Sequence, residues 1–255
     1  MKIYFVRHAE TIASREGLIQ GSSNGVKNRA TAEGLVKVEE SANELVKLIE
    51  GANPRNVYLY SAGQQRCLRT SLALASVLQK NNLISSENIF IENRFCGRSY
   101  GKLEGLNEQE AKRPLYLVTH PKKSISYVLA NLGFDNAMEI QSKKEYADQV
   151  FTAIYELYSK HAEKDDIVII SATSDVYKIM QEDEGIHSMC YFGNEDALCF
   201  PEEKKPYKRL KIGTGELKII EVDQPIYDAE NMRLIPVWET LSHQNYVESA
   251  APERI

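Results

Sequence analysis

A three-layer α/β/α sandwich on a mostly parallel, mixed sheet is the fold class the sequence predicts, and three observations carry it. Short apolar, β-favouring runs at 3–6, 56–60, 88–92 and 166–171 read as buried strands rather than half-solvated ones. Amphipathic stretches at helical spacing follow them, the alternation expected of βα units. One late segment, 215–222, alternates cleanly and reads as an edge strand with one wet face.

The first run, Ile3-Tyr4-Phe5-Val6, ends abruptly at Arg7-His8-Ala9-Glu10-Thr11. Open α/β sheets place their ligands at such carboxyl ends of strands. An adjacent arginine and histidine have an obvious use there: the imidazole attacks a phosphoryl group while the guanidinium holds its oxygens. A surface turn with charges at a strand end is the plain alternative, and these residues alone do not separate the two. A polar, glycine-containing loop follows, including 20–25. A helix then starts near Thr31, with Leu35, Val38, Ala42, Leu45 and Ile49 on one face, and Gly51 and Pro54 are expected to end it.

The strand at 56–60 stops at Ser61-Ala62-Gly63, and the next helix carries Arg66 in its first turn. That repeats the opening design, so Arg66 can join Arg7 over one anion, aided by the helix N-terminus. After the short run at 88–92 comes a glycine-rich, basic loop, 94–107. The stretch from about 107 to 143 is read as an inserted helical cap. A helix at about 144–161, with Tyr146, Val150, Ile154 and Leu157 inward, leads to the strand ending at Ser171. From 223 to 255 the chain has little periodicity and reads as a surface-packed tail anchored by Trp238. The domain expectation is therefore 1–222 with the cap, plus the tail.

A net charge of -5 argues against a general nucleic-acid or membrane-surface binder, though it leaves room for a local basic pocket. Four scattered cysteines without a CxxC pair argue against structural zinc and a disulfide framework. The apolar run before Arg7 is too short for a signal peptide, and no stretch reaches the length of a membrane span. The expected location is cytoplasmic.

Taken together, these segments resemble the histidine phosphatase superfamily, the phosphoglycerate mutase-like proteins. Arg7-His8-Ala9-Glu10-Thr11 is similar to its Arg-His-Gly-Glu-Thr opening. Gln20-Gly21 and Ala30-Thr31-Ala32-Glu33-Gly34 resemble its Gln-Gly and Leu-Thr-x-x-Gly elements. Ser61 through Arg66 and Thr70 resemble its Ser…Arg-x-x-x-Thr helix start. Tyr100-Gly101-Lys102-Leu103-Glu104-Gly105-Leu106-Asn107 resembles its Tyr-Gly-x-Leu-x-Gly-Leu-Asn segment. The ordered set spans roughly the first 180 residues.

The resemblance implies that His8 becomes a phosphohistidine while Arg7 and Arg66 bind the phosphoryl oxygens, with neither metal nor cofactor. The expected substrate-binding set is Glu10, Ser14 (where the family commonly has asparagine), Gln20, Gly21, Arg98, Tyr100, Ala172 and Thr173. Arg94, Lys102 and Arg113 are further candidates for contacting the ligand.

Two departures bear on activity. The family's second histidine is replaced by Ala172, and its acid glutamate, three residues before the tyrosine of Tyr-Gly-x-Leu, is replaced by Gly97. Losing a charge-stabilising donor costs about 10²–10³ in rate, and losing a general acid about 10²–10⁴.

Three explanations stand side by side. The chain is a non-catalytic binder or scaffold; or it is active through Glu92 or Glu104 as acid and His120 or His187 as second histidine; or Ala172 is an engineered knockout. Glu92 is the acid carried forward, as it would be if 94–99 is a local insertion. Lys112-Arg113-Pro114 offers only part of the Arg-Arg pair and proline run of the glycolytic mutases, which favours a phosphatase over a mutase. The expectation is thus a phosphoric monoester hydrolase of reduced activity, or an impaired phospho-ligand-binding relative. The partners expected are a small phosphorylated molecule or inorganic phosphate, with no nucleic acid and no membrane, and with homodimerisation left open.

Overall fold

A computed structural model describes residues 1–107, 110, 139–162, 164–180, 212–221, 226–228 and 233–235. Its main sheet has five strands: β1 (Lys2–Arg7), β2 (Val57–Ser61), β3 (Ile89–Ile91), β4 (Ile167–Ala172) and β5 (Leu217–Glu221). Their order across the sheet is β3-β2-β4-β1-β5. All neighbours run parallel except β5, which pairs antiparallel with β1 at the edge. The mixed, mostly parallel sheet read from the sequence is what the chain adopts.

The helices are α1 (Ile12–Arg15), α2 (Ala32–Ala52), α3 (Gln65–Lys80), α4 (Lys143–His161) and α5 (Ser174–Met180). The strand period divides them between two faces. Ile3 and Phe5 of β1 pack in one core with Tyr146, Val150, Ile154 and Leu157 of α4 and Val176 of α5. Tyr4 and Val6 point the other way, into a core with Val38, Leu45 and Ile49 of α2 and Leu74 and Leu78 of α3. Every residue of β4 is buried, which is why its sequence is an unbroken apolar run.

Caps set the helix limits. Thr31 Oγ1 accepts from Gly34 N at 3.0 Å to start α2. Ser142 and Glu145 form a reciprocal capping box at the start of α4. The expected stop of α2 at Gly51 is corrected: the helix runs through it to Ala52. It ends because Asn53 turns left-handed (φ 46°) and returns its N–H to Ile49 O.

Within the 223–255 tail, β6 (Ile226–Asp228) and β7 (Arg233–Ile235) pair antiparallel, and β7 lies against α4. Trp238 and most of the 107–143 cap lie outside the described residues. No described helix is long and apolar enough to cross a membrane.

The sequence element Thr31-x-x-Gly34 has a packing explanation. A Cβ built on Gly34 would sit 2.6 Å from Glu10 N and 2.8 Å from Glu10 O. The first turn of α2 therefore lies directly on the backbone that leaves β1, and Thr31 N bonds Glu10 O at 2.8 Å. In an exposed helix, glycine to alanine gains about 0.5–1 kcal/mol. Here the sign should reverse: Gly34→Ala should destabilise by about 1–3 kcal/mol through overpacking. Urea denaturation reads this directly, and a variant as stable as the parent would refute the close approach.

Candidate active site

β1 and β4 run in register to their ends, with Arg7 opposite Ala172. His8 N then donates to Ala172 O at 3.0 Å, carrying the ladder one residue past the strand. Ala62 N likewise reaches Ser171 O at 2.9 Å, so the ends of β1, β4 and β2 come together. This is the sheet end where the sequence placed the site.

His8 is only 3% exposed. Its Nδ1 lies 2.8 Å from Ala9 O, to which only a protonated Nδ1 can donate, leaving Nε2 as the unprotonated nitrogen. Ala9 N donates to Thr70 Oγ1 at 2.8 Å, and that hydroxyl donates to Arg66 O at 2.7 Å. The turn holding the imidazole is thereby tied to the first turns of α3.

Arg66 is 2% exposed, and Arg7 is half-buried. Burial, then the fields of Arg66 and Arg7, push the His8 pKa well below 6.5, with the bond to Ala9 O opposing. The pKa values of both arginines are lowered, first by burial, and that of Arg7 also by Arg66. The three groups therefore share one field. Asp175, on α5, is the carboxylate that offsets part of the positive charge on both arginines.

Arg66 Nη2 donates to Gly21 O at 2.7 Å and Nη1 to Ser23 O at 3.1 Å. Arg7 Nη1 donates to Ile212 O at 2.7 Å. Both Nε atoms are buried without a partner. Gln64, which the sequence reading passed over, bridges the same loop. Its Nε2 donates to Gly21 O at 2.9 Å and its Oε1 accepts from Gly97 N at 2.8 Å. A buried glutamine just before a helix was the available signal.

Gly97 backs onto this corner. A Cβ there would lie 2.6 Å from Gly21 O and 3.2 Å from both Arg66 Nη2 and Thr173 Cγ2. Thr173, Arg66 and Gly21 thus surround one point, and Ala172 is fully buried beside it. Glu92, the acid expected from the sequence, is bound by Arg94. Its carboxylate receives Arg94 Nε at 2.8 Å and Nη2 at 2.7 Å, and Arg94 also binds Glu156 at 2.6 Å. Those bonds hold Glu92 below the usual carboxylate range, hence ionised, the reverse of what a proton donor requires.

Other expected residues are diverted by near neighbours. Ser14 forms a capping box with Thr11, its Oγ accepting from Thr11 N at 2.8 Å. The Glu10 carboxylate accepts from Arg15 Nε at 3.0 Å. Gln20 Oε1 accepts from Thr11 Oγ1 at 3.0 Å. Arg98 is buried, donates Nε to Gln141 O at 2.7 Å and lies 5.5 Å from the Tyr100 ring centre. Tyr100 faces Asp175, which, ahead of burial, raises its phenol pKa.

Glu104, the other candidate acid, accepts from Ser22 N at 2.7 Å, Ser22 Oγ at 2.9 Å and Tyr100 N at 3.0 Å. It latches the 20–23 loop. Lys112, Arg113, His120 and His187 lie outside the described residues. Among those described, no group of three or more His, Cys, Asp or Glu side chains could hold a metal ion.

A buried imidazole with a fixed tautomer, in the field of two guanidiniums at the carboxyl end of a mostly parallel sheet, marks the candidate site of this α/β protein. The family model of the histidine phosphatase superfamily (branch 1) matches residues 3–180, and the chain belongs to that superfamily. No curated protein matches it in sequence.

Several solved structures share the fold. Phosphoglycerate mutase from Bacillus anthracis str. Sterne is 14% identical, with 72% of this chain and 80% of that one covered at a TM-score of 0.56. The alpha-ribazole phosphatase from Shigella flexneri is 15% identical over 88% and 92%, at 0.55. Phosphoserine phosphatase from Entamoeba histolytica, solved with 3-phosphoglyceric acid, is 14% identical over 92% and 94%, at 0.52.

Two outcomes follow from this geometry. Gly97→Ala should cost about 1–3 kcal/mol, because its methyl group meets a backbone carbonyl rather than a movable side chain. Urea denaturation measures this, and an unchanged midpoint would count against the packing. The second concerns acid. His161, buried between Asp166 (3.0 Å) and Tyr60 (2.9 Å), has its pKa lowered by burial, as His8 does. The unfolded chain takes up protons near 6.5 that the folded chain resists. Stability should therefore fall as pH drops from 6.5 toward 5.5, by at most about 1.4 kcal/mol per pH unit for each histidine. Above pH 7 these two groups should contribute no slope. A flat urea midpoint between pH 7 and 5.5 would contradict the assignment.

Proposed function

We propose that the chain binds a phosphomonoester at the ends of β1 and β4 and hydrolyses it through a phosphohistidine at His8. The observation that carries this reading is the bond from His8 Nδ1 to Ala9 O, which leaves the Nε2 lone pair available beside Arg7 and Arg66. In the first step Nε2 forms a bond to phosphorus and the ester P–O bond breaks, the alkoxide or phenoxide leaving with the electron pair and taking a proton from solvent water. Water then attacks phosphorus and gives up a proton to solvent, the N–P bond breaks with its electron pair returning to Nε2, and inorganic phosphate departs. The guanidiniums stabilise the charge that spreads over the phosphoryl oxygens. The partner is a small phosphorylated molecule, and the working compartment proposed is the cytoplasm.

Gly97 shapes the substrate range. With no acid beside Arg66 and with Glu92 held ionised by Arg94, the leaving oxygen departs with little protonation help. Esters with acidic leaving groups suit such a site. The missing proton donor also favours the weaker form of the same reading, a phospho-ligand binder of low turnover.

The test compares an aryl phosphate with a simple alkyl phosphate. The aryl ester should turn over faster by about 10²–10⁴, the contribution an in-place acid would supply. His8→Ala should abolish both activities. Aryl phosphatase activity that survives His8→Ala would sink the proposal. Equal rates on the two esters would show that an acid is in fact present.

A further inference from the structure

Gln64 stands just before the first residue of α3, where short side chains that cap the first turn are favoured. Its own side chain makes no capping bond. The Gln65 N–H is capped from the 20–25 loop instead, by Asn24 Oδ1 at 2.9 Å. The Gln64 amide, 3% exposed, spans two backbone groups of different segments. Its Nε2 donates to Gly21 O at 2.9 Å and its Oε1 accepts from Gly97 N at 2.8 Å. The helix gives no reason for a glutamine at this position; these two bonds do.

Gly21 O also accepts from Arg66 Nη2 at 2.7 Å, so one carbonyl has both lone pairs taken, one by the cation and one by Gln64. A guanidinium is a rigid planar fork, and its direction follows its acceptors. Arg66 Nη1 and Nη2 have Ser23 O and Gly21 O, both on the 20–25 loop, which has neither strand nor helix to set its place. The ties from Glu104 to Ser22 N and from Asn24 to Gln65 N are exposed. The Gln64 bond is the one that shares the acceptor of Arg66. It fastens that acceptor to Gly97, which lies so close that a Cβ there would be 2.6 Å from Gly21 O.

We propose that Gln64 is a positioning residue: by bridging Gly21 O and Gly97 N it sets the carbonyl that aims Arg66 at the phosphoryl group. The inference rests on the reading that this corner takes a phosphoryl group, and it adds a residue that touches no substrate atom. An amide suits the task because it offers a donor and an acceptor at once and carries no charge. A carboxylate would offer acceptors alone and set a negative oxygen against Gly21 O.

Inorganic phosphate is the probe, titrated calorimetrically into the parent chain, Gln64→Leu and Gln64→Glu at pH 5.5 and pH 8. Gln64→Leu removes both bonds and should bind phosphate about tenfold more weakly at either pH, the scale of one hydrogen bond to a charged group. Gln64→Glu supplies the rescue, because a protonated carboxyl donates to Gly21 O and accepts from Gly97 N as the amide does. Its affinity should match the parent at pH 5.5 and fall about tenfold below it at pH 8. In an Arg66→Lys background, Gln64→Leu should add no further loss, since the group it aims is gone. The same added loss there would show that Gln64 acts independently of Arg66 and would overturn the proposal. Parent-like affinity in Gln64→Leu, whatever its Tm, would assign the glutamine to packing alone and leave the anion site intact. If Gln64→Leu does not fold, Gln64→Glu decides: an affinity ratio to the parent that is equal at the two pH values rejects the positioning role. A parent chain that binds no phosphate would refute the anion site itself, and this proposal with it.

Discussion

Thr70 Oγ1 accepts from Ala9 N and donates to Arg66 O, so a single buried hydroxyl joins the turn carrying the imidazole to the helix carrying its cation. The rest of the corner depends on that joint. The β1–β4 register delivers Arg7 and His8 to the sheet end, but α3 must bring Arg66 against them despite the repulsion between the guanidiniums. Burial removes the water that would screen these charges. The fold withstands this because each group is held by the backbone as well as by its neighbours. His8 is bonded to Ala9 O, Arg7 to Ile212 O, and Arg66 to the carbonyls of Gly21 and Ser23. Carbonyl oxygens carry only partial charge, so they orient the guanidiniums without neutralising them.

The exchange at Gly97 works through the same loop. Any side chain at 97 would collide with Gly21 O, and it is that carbonyl which receives Arg66 Nη2 and Gln64 Nε2. Glu104 holds the other side of the loop through Ser22 and Tyr100 N. The carbonyl and an acid side chain cannot occupy this position together. The chain has the arrangement that fixes Arg66. This ties two sequence features, the glycine at 97 and the Gln20-Gly21 loop, to one steric fact.

What the sequence made legible follows from the range of the interactions involved. The apolar runs of β1, β2 and β4 marked the sheet, because burial on both faces leaves a trace in every residue of a strand. Arg7 and His8 were legible because they close and follow the first such strand, and Arg66 because it stands in the first turn of the helix after the second. Ser14, Glu10 and Glu92 have partners that motif spacing does not announce. Those partners, Thr11, Arg15 and Arg94, lie two to five residues away, and each binds the polar side chain in question. Tyr146 was read correctly as an inward residue of its helix, and its ring is core. Helical period places a side chain on a face but says nothing about where its hydroxyl ends.

The lowered pKa of His8 and the proposed phosphohistidine share a cause. Arg7, Arg66 and burial oppose adding a proton to the imidazole because that proton adds positive charge to a dry, cationic corner. A phosphoryl group adds negative charge to the same nitrogen's surroundings, and the same field favours it. A nucleophile that resists protonation yet accepts phosphorus is selected by charge alone, with no change of conformation. This selection depends on the guanidiniums staying fixed while ligands come and go, which is the task of the Gly21 and Ser23 carbonyls. In the proposed reaction the guanidiniums so held carry the stabilisation of the phosphoryl charge, and Ala172 adds no donor to it.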